Sequence, residues 1–200
     1  MTDQPRQSIA VDGVRLTLEV RRGRVRNVNA RLTGSHLRVS APASLPGGEL
    51  ERIVHELART LLRRRRSREL NRDGHVLRLA RRVAQRFPEP PAVAEVAFST
   101  VQRARWGSYS PATGAIRLHA ALASMPPWVV EAVIAHELVH AFHRNHGPGF
   151  WALLRSVCPD TDRARAFLAG VSWLARRYDS LSPAERRQLG AASPLDPGGQ

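Results

Sequence analysis

Four of the chain's eight histidines fall between residues 136 and 146, in the segment W-V-V-E-A-V-I-A-H-E-L-V-H-A-F-H-R-N-H. His136 and His140 are four residues apart, so on a helix of 3.6 residues per turn their imidazoles share one face and can reach one ion. Imidazole nitrogen suits Zn²⁺, which takes about four ligands near 2.0–2.1 Å, and a hydrolytic site keeps one of those positions for water. Glu137 is one position past the first histidine, where its carboxylate can serve as general base toward that water without being a ligand. The spacing therefore predicts one Zn²⁺ and hydrolysis by attack of metal-bound water.

A third ligand has to come from nearby. His143 continues the helical face, while His146 lies ten residues after His136 and just before Gly147-Pro148. Asn145 tolerates a left-handed backbone and Gly147 almost any, so a turn back toward the metal favours His146 over His143. Glu131 lies five residues before His136, a poor direction for a ligand. For a donor to the developing oxyanion, or a side chain that orients a ligand imidazole, the candidates are His143, His119, Tyr109 and Arg105. Each alone also reads as an ordinary exposed polar side chain.

These residues need a helix and a floor beneath it. Val129, Val130, Val133, Ile134, Leu138, Val139 and Phe142 give the histidine segment an apolar face, and Pro126-Pro127 starts it where missing amide protons cost least. Upstream, Val93–Thr100 and Ala115–His119 read as strands, the second closing a hairpin through the turn Pro111–Gly114. In that hairpin the 115–119 strand is expected outermost, offering unpaired backbone to an extended peptide. Gly107 suits a bulge or a close backbone approach, and Trp106 an apolar anchor. At the other end, Val14–Val20, Val25–Leu32 and His36–Ser40 alternate apolar and polar residues and read as an antiparallel meander. His36 reads there as a sheet histidine. Leu50, Ile53, Val54, Leu57, Leu61 and Leu62 recur at helical spacing, as do Val76, Leu79, Ala80, Val83 and Phe87. Further helices are expected over 150–158 and 162–176.

Two hundred residues suffice for one core of ordinary size, and one catalytic unit is expected over residues 10–177, between a polar lead at 1–9 and a loosely ordered tail at 178–200. The formal charge of +14 would ordinarily suggest nucleic acid. All 31 basic residues are arginine, however, which looks like a compositional habit, and the run Arg63–Arg66 has no interleaved aromatics for base stacking. Nucleic acid is therefore discounted as a partner, and an acidic peptide is easier to attract than a basic one. Cys158 is the only cysteine, so no intrachain disulfide forms. No run of 18 apolar residues and no signal-peptide core is present, from which a cytoplasmic protein with no membrane and no obligate partner is expected.

Taken in order, V-R-N-V-N-A-R, H-L-R-V-S-A-P, R-A-R-W-G-S-Y-S, G-A-I-R-L-H and A-H-E-L-V-H-A-F-H-R-N-H-G-P-G-F-W resemble the YgjP-like family of metallopeptidases, compact zincins related to the SprT-like and WLM groups. The resemblance spans residues 10 to 175. It implies an α+β, zincin-like fold with an N-terminal antiparallel sheet and an HExxH active-site helix, and a zinc-dependent metallopeptidase; extended peptide or protein as substrate is the reading of the 115–119 strand. It assigns His136, His140 and His146 to the metal and Glu137 to catalysis. Tyr109 stands where the family usually has cysteine, and His119 where it has asparagine. The alternative is a nucleic-acid-associated basic protein whose metal site is structural or degenerate.

Overall fold

The first hairpin of the chain turns at the pair Asp12-Gly13, both with positive φ (49° and 78°), the backbone of a tight turn whose twist matches that of its strands. In the computed structural model, which describes residues 2–3, 7–102 and 104–191, this turn joins β2 (Gln7–Val11) to β3 (Val14–Gly23). Part of the stretch expected as a polar lead is thus strand: Gln7 pairs with Leu18, and β1 (Thr2–Asp3) pairs with Arg21 and Arg22 of β3. Val11 is buried, and its inward side chain supplies the reason.

β4 (Asn29–Thr33) and β5 (His36–Pro42) form a second hairpin through Gly34, at φ 57°. The expected meander is corrected here. β5 inserts between β3 and β4, so the order is β1-β3-β5-β4 with β2 also on β3, and the β3–β5 pair is parallel, from Thr17↔His36 to Gly23↔Pro42. The sheet is mixed rather than antiparallel throughout. Sequence periodicity says which residues face the core and nothing about which strand is the neighbour. Leu16, Leu18, Val20, Leu37, Val39 and Ala41 point to one face, and α1 (Gly47–Leu70) closes it with Leu50, Val54 and Ala58. His36, on the opposite face, is exposed.

α1 runs 24 residues, past its apolar stripe and through the arginine run. Arginines along this helix have local partners: Arg59 pairs with Asp12, and within the run Arg65 donates to the Gly34 carbonyl at 2.7 Å while Arg65 and Arg66 flank Glu69. Asn71 caps the helix, its Nδ2 donating to the Ser67 and Phe98 carbonyls while its Oδ1 accepts from the Phe98 amide.

α2 (His75–Ala84) follows, then a second sheet of β6 (Glu95–Ser99), β7 (Gly107–Ser110) and β8 (Ala115–His119) in the order β6-β8-β7. β8 is therefore the central strand, contrary to its expected place at the edge. Its residues Ile116 and Leu118 are almost fully buried, as a strand with neighbours on both sides should be. A 3₁₀ turn over Ala120–Ser124 leads to α3 (Pro127–Val139), and α4 (Pro148–Val157) and α5 (Thr161–Arg177) follow.

Packing divides the described residues into two compact units, one within 2–76, 97–106 and 117–123, the other within 77–96, 107–116 and 124–191. In the second, α3 packs against α4, α5 and β7. Ring contacts of Phe87 with Phe142 and of Trp128 with Phe167 lie around it. Cys158 is a buried side chain at the end of α4.

The expected loose tail is also corrected over part of its length. A 3₁₀ turn (Tyr178–Ser180) precedes α6 (Pro183–Ala191), whose start is a capping box: Ser182 N–H donates to Glu185 at 2.7 Å and Glu185 N–H to Ser182 Oγ at 3.3 Å. The rest of the tail, 192–200, lies outside the described residues. No helix among them is long and apolar enough to cross a membrane.

Candidate metal centre

α3 is apolar around most of its circumference, with nine of its thirteen residues buried, and Pro127 at its first turn follows an extended Pro126. Within that helix Glu137, 6% exposed, is the one charged side chain among the buried described residues. A carboxylate held in such a place costs desolvation energy that its surroundings must offset.

His136 lies in the last turn of α3 and His140 at its C-cap. The helix tightens as it ends, with Ala141 N–H on the Leu138 carbonyl, Phe142 N–H on the Val139 carbonyl and His143 N–H also on Val139 at 2.9 Å. The chain then turns back without a left-handed residue. Gly147 is extended (φ −76°, ψ −176°) and Asn145 has no positive φ, so the freedom expected of these two residues is unused. Pro148 gives the reason: a residue before proline is driven from the helical region, and proline is at home in the first turn of α4.

This turn brings His146 back against α3. Its Nε2 lies 3.0 Å from that of His136, and potential ligand atoms of His136, His140 and His146 all lie within 4.8 Å of one another. Phe150, fully buried at the first turn of α4, forms the floor, with ring centroids 4.4 Å from His146, 4.9 Å from His136 and 5.0 Å from His140. Trp151 lies beside it, 5.9 Å from His146 and 6.3 Å from His136. The sequence showed this Phe-Trp pair only as part of the family pattern; rings directly after the Gly-Pro turn were the available signal.

The donor set fits a cation. Tetrahedral coordination at 2.0–2.1 Å places nitrogens about 3.4 Å apart, near the spacing of the closest pair. His140 Nδ1 lies 3.0 Å from the His143 carbonyl; as an N–H donor it leaves Nε2 with its lone pair available. Burial, followed by the fields of His140, His146 and Arg165, lowers the His136 pKa to about 4, and burial and His140 lower that of His146. Both rings are therefore neutral at pH 7, the state a metal requires.

The other sequence candidates have separate places. His143 offers its carbonyl to His140, and its ring lies against Gly149, where a Cβ would meet its Cε1 at 3.1 Å. Tyr109 donates its hydroxyl to the Ala92 carbonyl at 3.0 Å, and burial raises its pKa. Glu131 pairs with Arg86. His119 belongs to the other packing unit; its Nδ1 accepts from the Ala121 amide, and its ring meets Trp106 edge-on. Arg105, exposed, is in that unit too, with its carbonyl accepting from Gln102.

Gly107 has a function that its sequence context only suggested. A Cβ there would lie 2.6 Å from Glu137 Oε1, 2.7 Å from its Cγ and 2.8 Å from its Cδ. The bare backbone at the start of β7 is what leaves room for the carboxylate. In the β7–β8 hairpin, the Trp106 carbonyl accepts from His119 and the Ser110 carbonyl from Gly114. By the alternation of an antiparallel ladder, the backbone groups of Gly107 and Tyr109 then face the open edge.

Residues 5–170 match the model of the family described as YgjP-like, metallopeptidase domain. No curated protein and no solved structure matches the chain.

Proposed function

From the premise that this chain belongs to the YgjP-like family of metallopeptidase domains, we propose that it is a zinc-dependent peptidase, with one Zn²⁺ on His136, His140 and His146 and Glu137 as general base. Three converging imidazoles, with a buried carboxylate next in sequence to the first of them, carry the assignment. Zn²⁺ supplies Lewis acidity there, polarising a carbonyl and making water acidic enough to lose a proton near neutral pH.

The chain's own residues do the rest. His140 is fixed in tautomer and direction by the His143 carbonyl, and the apolar floor of Phe150 limits how far the three rings can swing. Glu137 receives the proton of the attacking water on its carboxylate and returns it to the leaving amine. Gly107 keeps that carboxylate in place by adding no side chain. Extended substrate adds as a further strand on β7, whose open edge presents the Gly107 and Tyr109 amides and carbonyls, rather than on the central β8. An exposed, unfolded segment is thus a better substrate than a globular surface.

The test is Glu137→Gln. It nearly preserves size and lies outside the proposed ligand set, so zinc content should stay near that of the parent while peptide hydrolysis is lost. Undiminished turnover of a peptide substrate by this variant would refute the general-base assignment.

A further inference from the structure

The hydrolytic machinery leaves one feature beside the histidine rings unused. Arg165, on α5, lays its guanidinium over the Trp151 ring, 4.3 Å from the centroid, and the same indole lies 5.9 Å from His146 and 6.3 Å from His136. Arg155 approaches that ring at 5.9 Å. Asp162 binds both arginines, but unequally. Arg155 gives it two contacts, Nε to Oδ2 at 2.9 Å and Nη2 to Oδ1 at 3.3 Å, whereas Arg165 gives only Nη1, at 3.2 Å. One carboxylate against two guanidinium groups leaves a positive charge over, and Arg165 retains donors from the five that a guanidinium carries. Its side chain is 56% exposed, so those donors are within reach of a ligand.

We propose that Arg165, shelved on Trp151, is a carboxylate-binding subsite that selects peptides bearing an acidic group within about three residues of the scissile bond. This deepens the peptidase assignment and rests on it. Extended chain advances about 3.3 Å per residue, so the step from guanidinium to indole (4.3 Å) and the step from indole to His146 (5.9 Å) are each spanned by one or two residues. A stacked guanidinium is held flat and loses little freedom on taking a carboxylate in its planar fork. Trp151 thus meets both groups, the imidazoles of His136 and His146 and the guanidinium of Arg165. The net charge of +14 favours encounter of the protein with acidic chains. The carboxylate can belong to an aspartate or glutamate side chain or to a peptide C-terminus, and the test separates these sources.

Three labelled peptides of equal length serve as probes: neutral with an amidated end, the same with one internal glutamate, and the neutral sequence with a free C-terminus. Affinity is read by fluorescence anisotropy on full-length, zinc-loaded Glu137→Gln protein, and cleavage on the parent protein. One or both carboxylate peptides should bind about tenfold tighter than the neutral amide, as expected of a charge-assisted contact. Preference for the glutamate peptide alone assigns the subsite to a side chain, and preference for the free acid alone to a chain end. Adding Arg165→Gln should bring the ratio to about one, and Arg165→Lys should retain part of it, because charge survives without the fork. Arg163→Gln, on the same helix but over Trp128, should keep the full preference. Equal affinity for all three peptides, or a preference that survives Arg165→Gln, overturns the subsite. Cleavage of none of the peptides by zinc-loaded parent protein, with the binding preference intact, defeats the peptidase assignment instead, and with it the subsite's place in substrate selection.

Discussion

Gly107→Ala places one methyl group where Glu137 now lies. Gly107 lies outside the left-handed region of φ, so the backbone itself does not oppose alanine and the effect is one of space. Carbon contacts relax at about 3.5–4.0 Å, whereas the new Cβ would meet Oε1, Cγ and Cδ of Glu137 at 2.6, 2.7 and 2.8 Å. The carboxyl group must retreat by about 1 Å. Because it is the far end of a flexible side chain, it can do so at modest cost in stability. We expect about 1 kcal/mol, the low end for overpacking, or a Tm lower by about 2–4 °C in a chain of this size. On the proposed general-base role of Glu137 the functional cost is larger, since moving such a group by about 1 Å lowers turnover roughly 100-fold. The assay is kcat on a fluorogenic peptide, with zinc content and Tm measured on the same sample and kcat taken well below the melting range. Gly170→Ala is the control. It lies within α5 with nothing inside 4 Å of the added Cβ, and it should stabilise by about 0.4–1 kcal/mol while leaving turnover unchanged. If Gly107→Ala at full zinc content turns over within twofold of the parent, the backbone at residue 107 does not position the base.

Two further outcomes are expected. His146→Ala should lose most bound zinc on dialysis, whereas His143→Ala should keep it, since the His143 carbonyl rather than its ring meets His140; metal analysis of both variants decides, and the reverse result would move the third ligand to His143. In metal-free protein the depressed pKa of His136, about 4 against 6.5 when unfolded, favours the neutral ring in the folded state. Its contribution is therefore complete above pH 6.5 and is lost as the pH falls toward 4. After allowance for partial exposure this is worth about 2 kcal/mol. Chelator-treated parent protein should lose Tm across that window more steeply than His136→Gln, and equal slopes would count against the shift.

Local chemistry was legible in the sequence wherever it follows from neighbours along the chain. Two histidines four apart on an apolar run share a helix face because helix geometry leaves no alternative, and Pro148 after Gly147 marks the turn that carries His146 back. Two further local signals lie in the sequence. Val11-Asp12-Gly13-Val14 is a hairpin turn, and Ser182-Pro183-Ala184-Glu185 is a capping box, so strand β2 and helix α6 stand where a lead and a loose tail were expected. Strand order was of another kind. Alternation at period two names the buried face of β3, β4, β5 and β8 but is blind to the neighbour, so only the folded chain decided that β5 runs parallel to β3 and that β8 is central with β7 at the edge. The same holds for contacts across long stretches of chain. Gly107 beneath the Glu137 carboxyl, 30 positions away, and Arg165 over Trp151, 14 positions away, depend on which elements pack together. Packing is settled by burial of whole faces at once, a sum over the molecule that no single segment encodes.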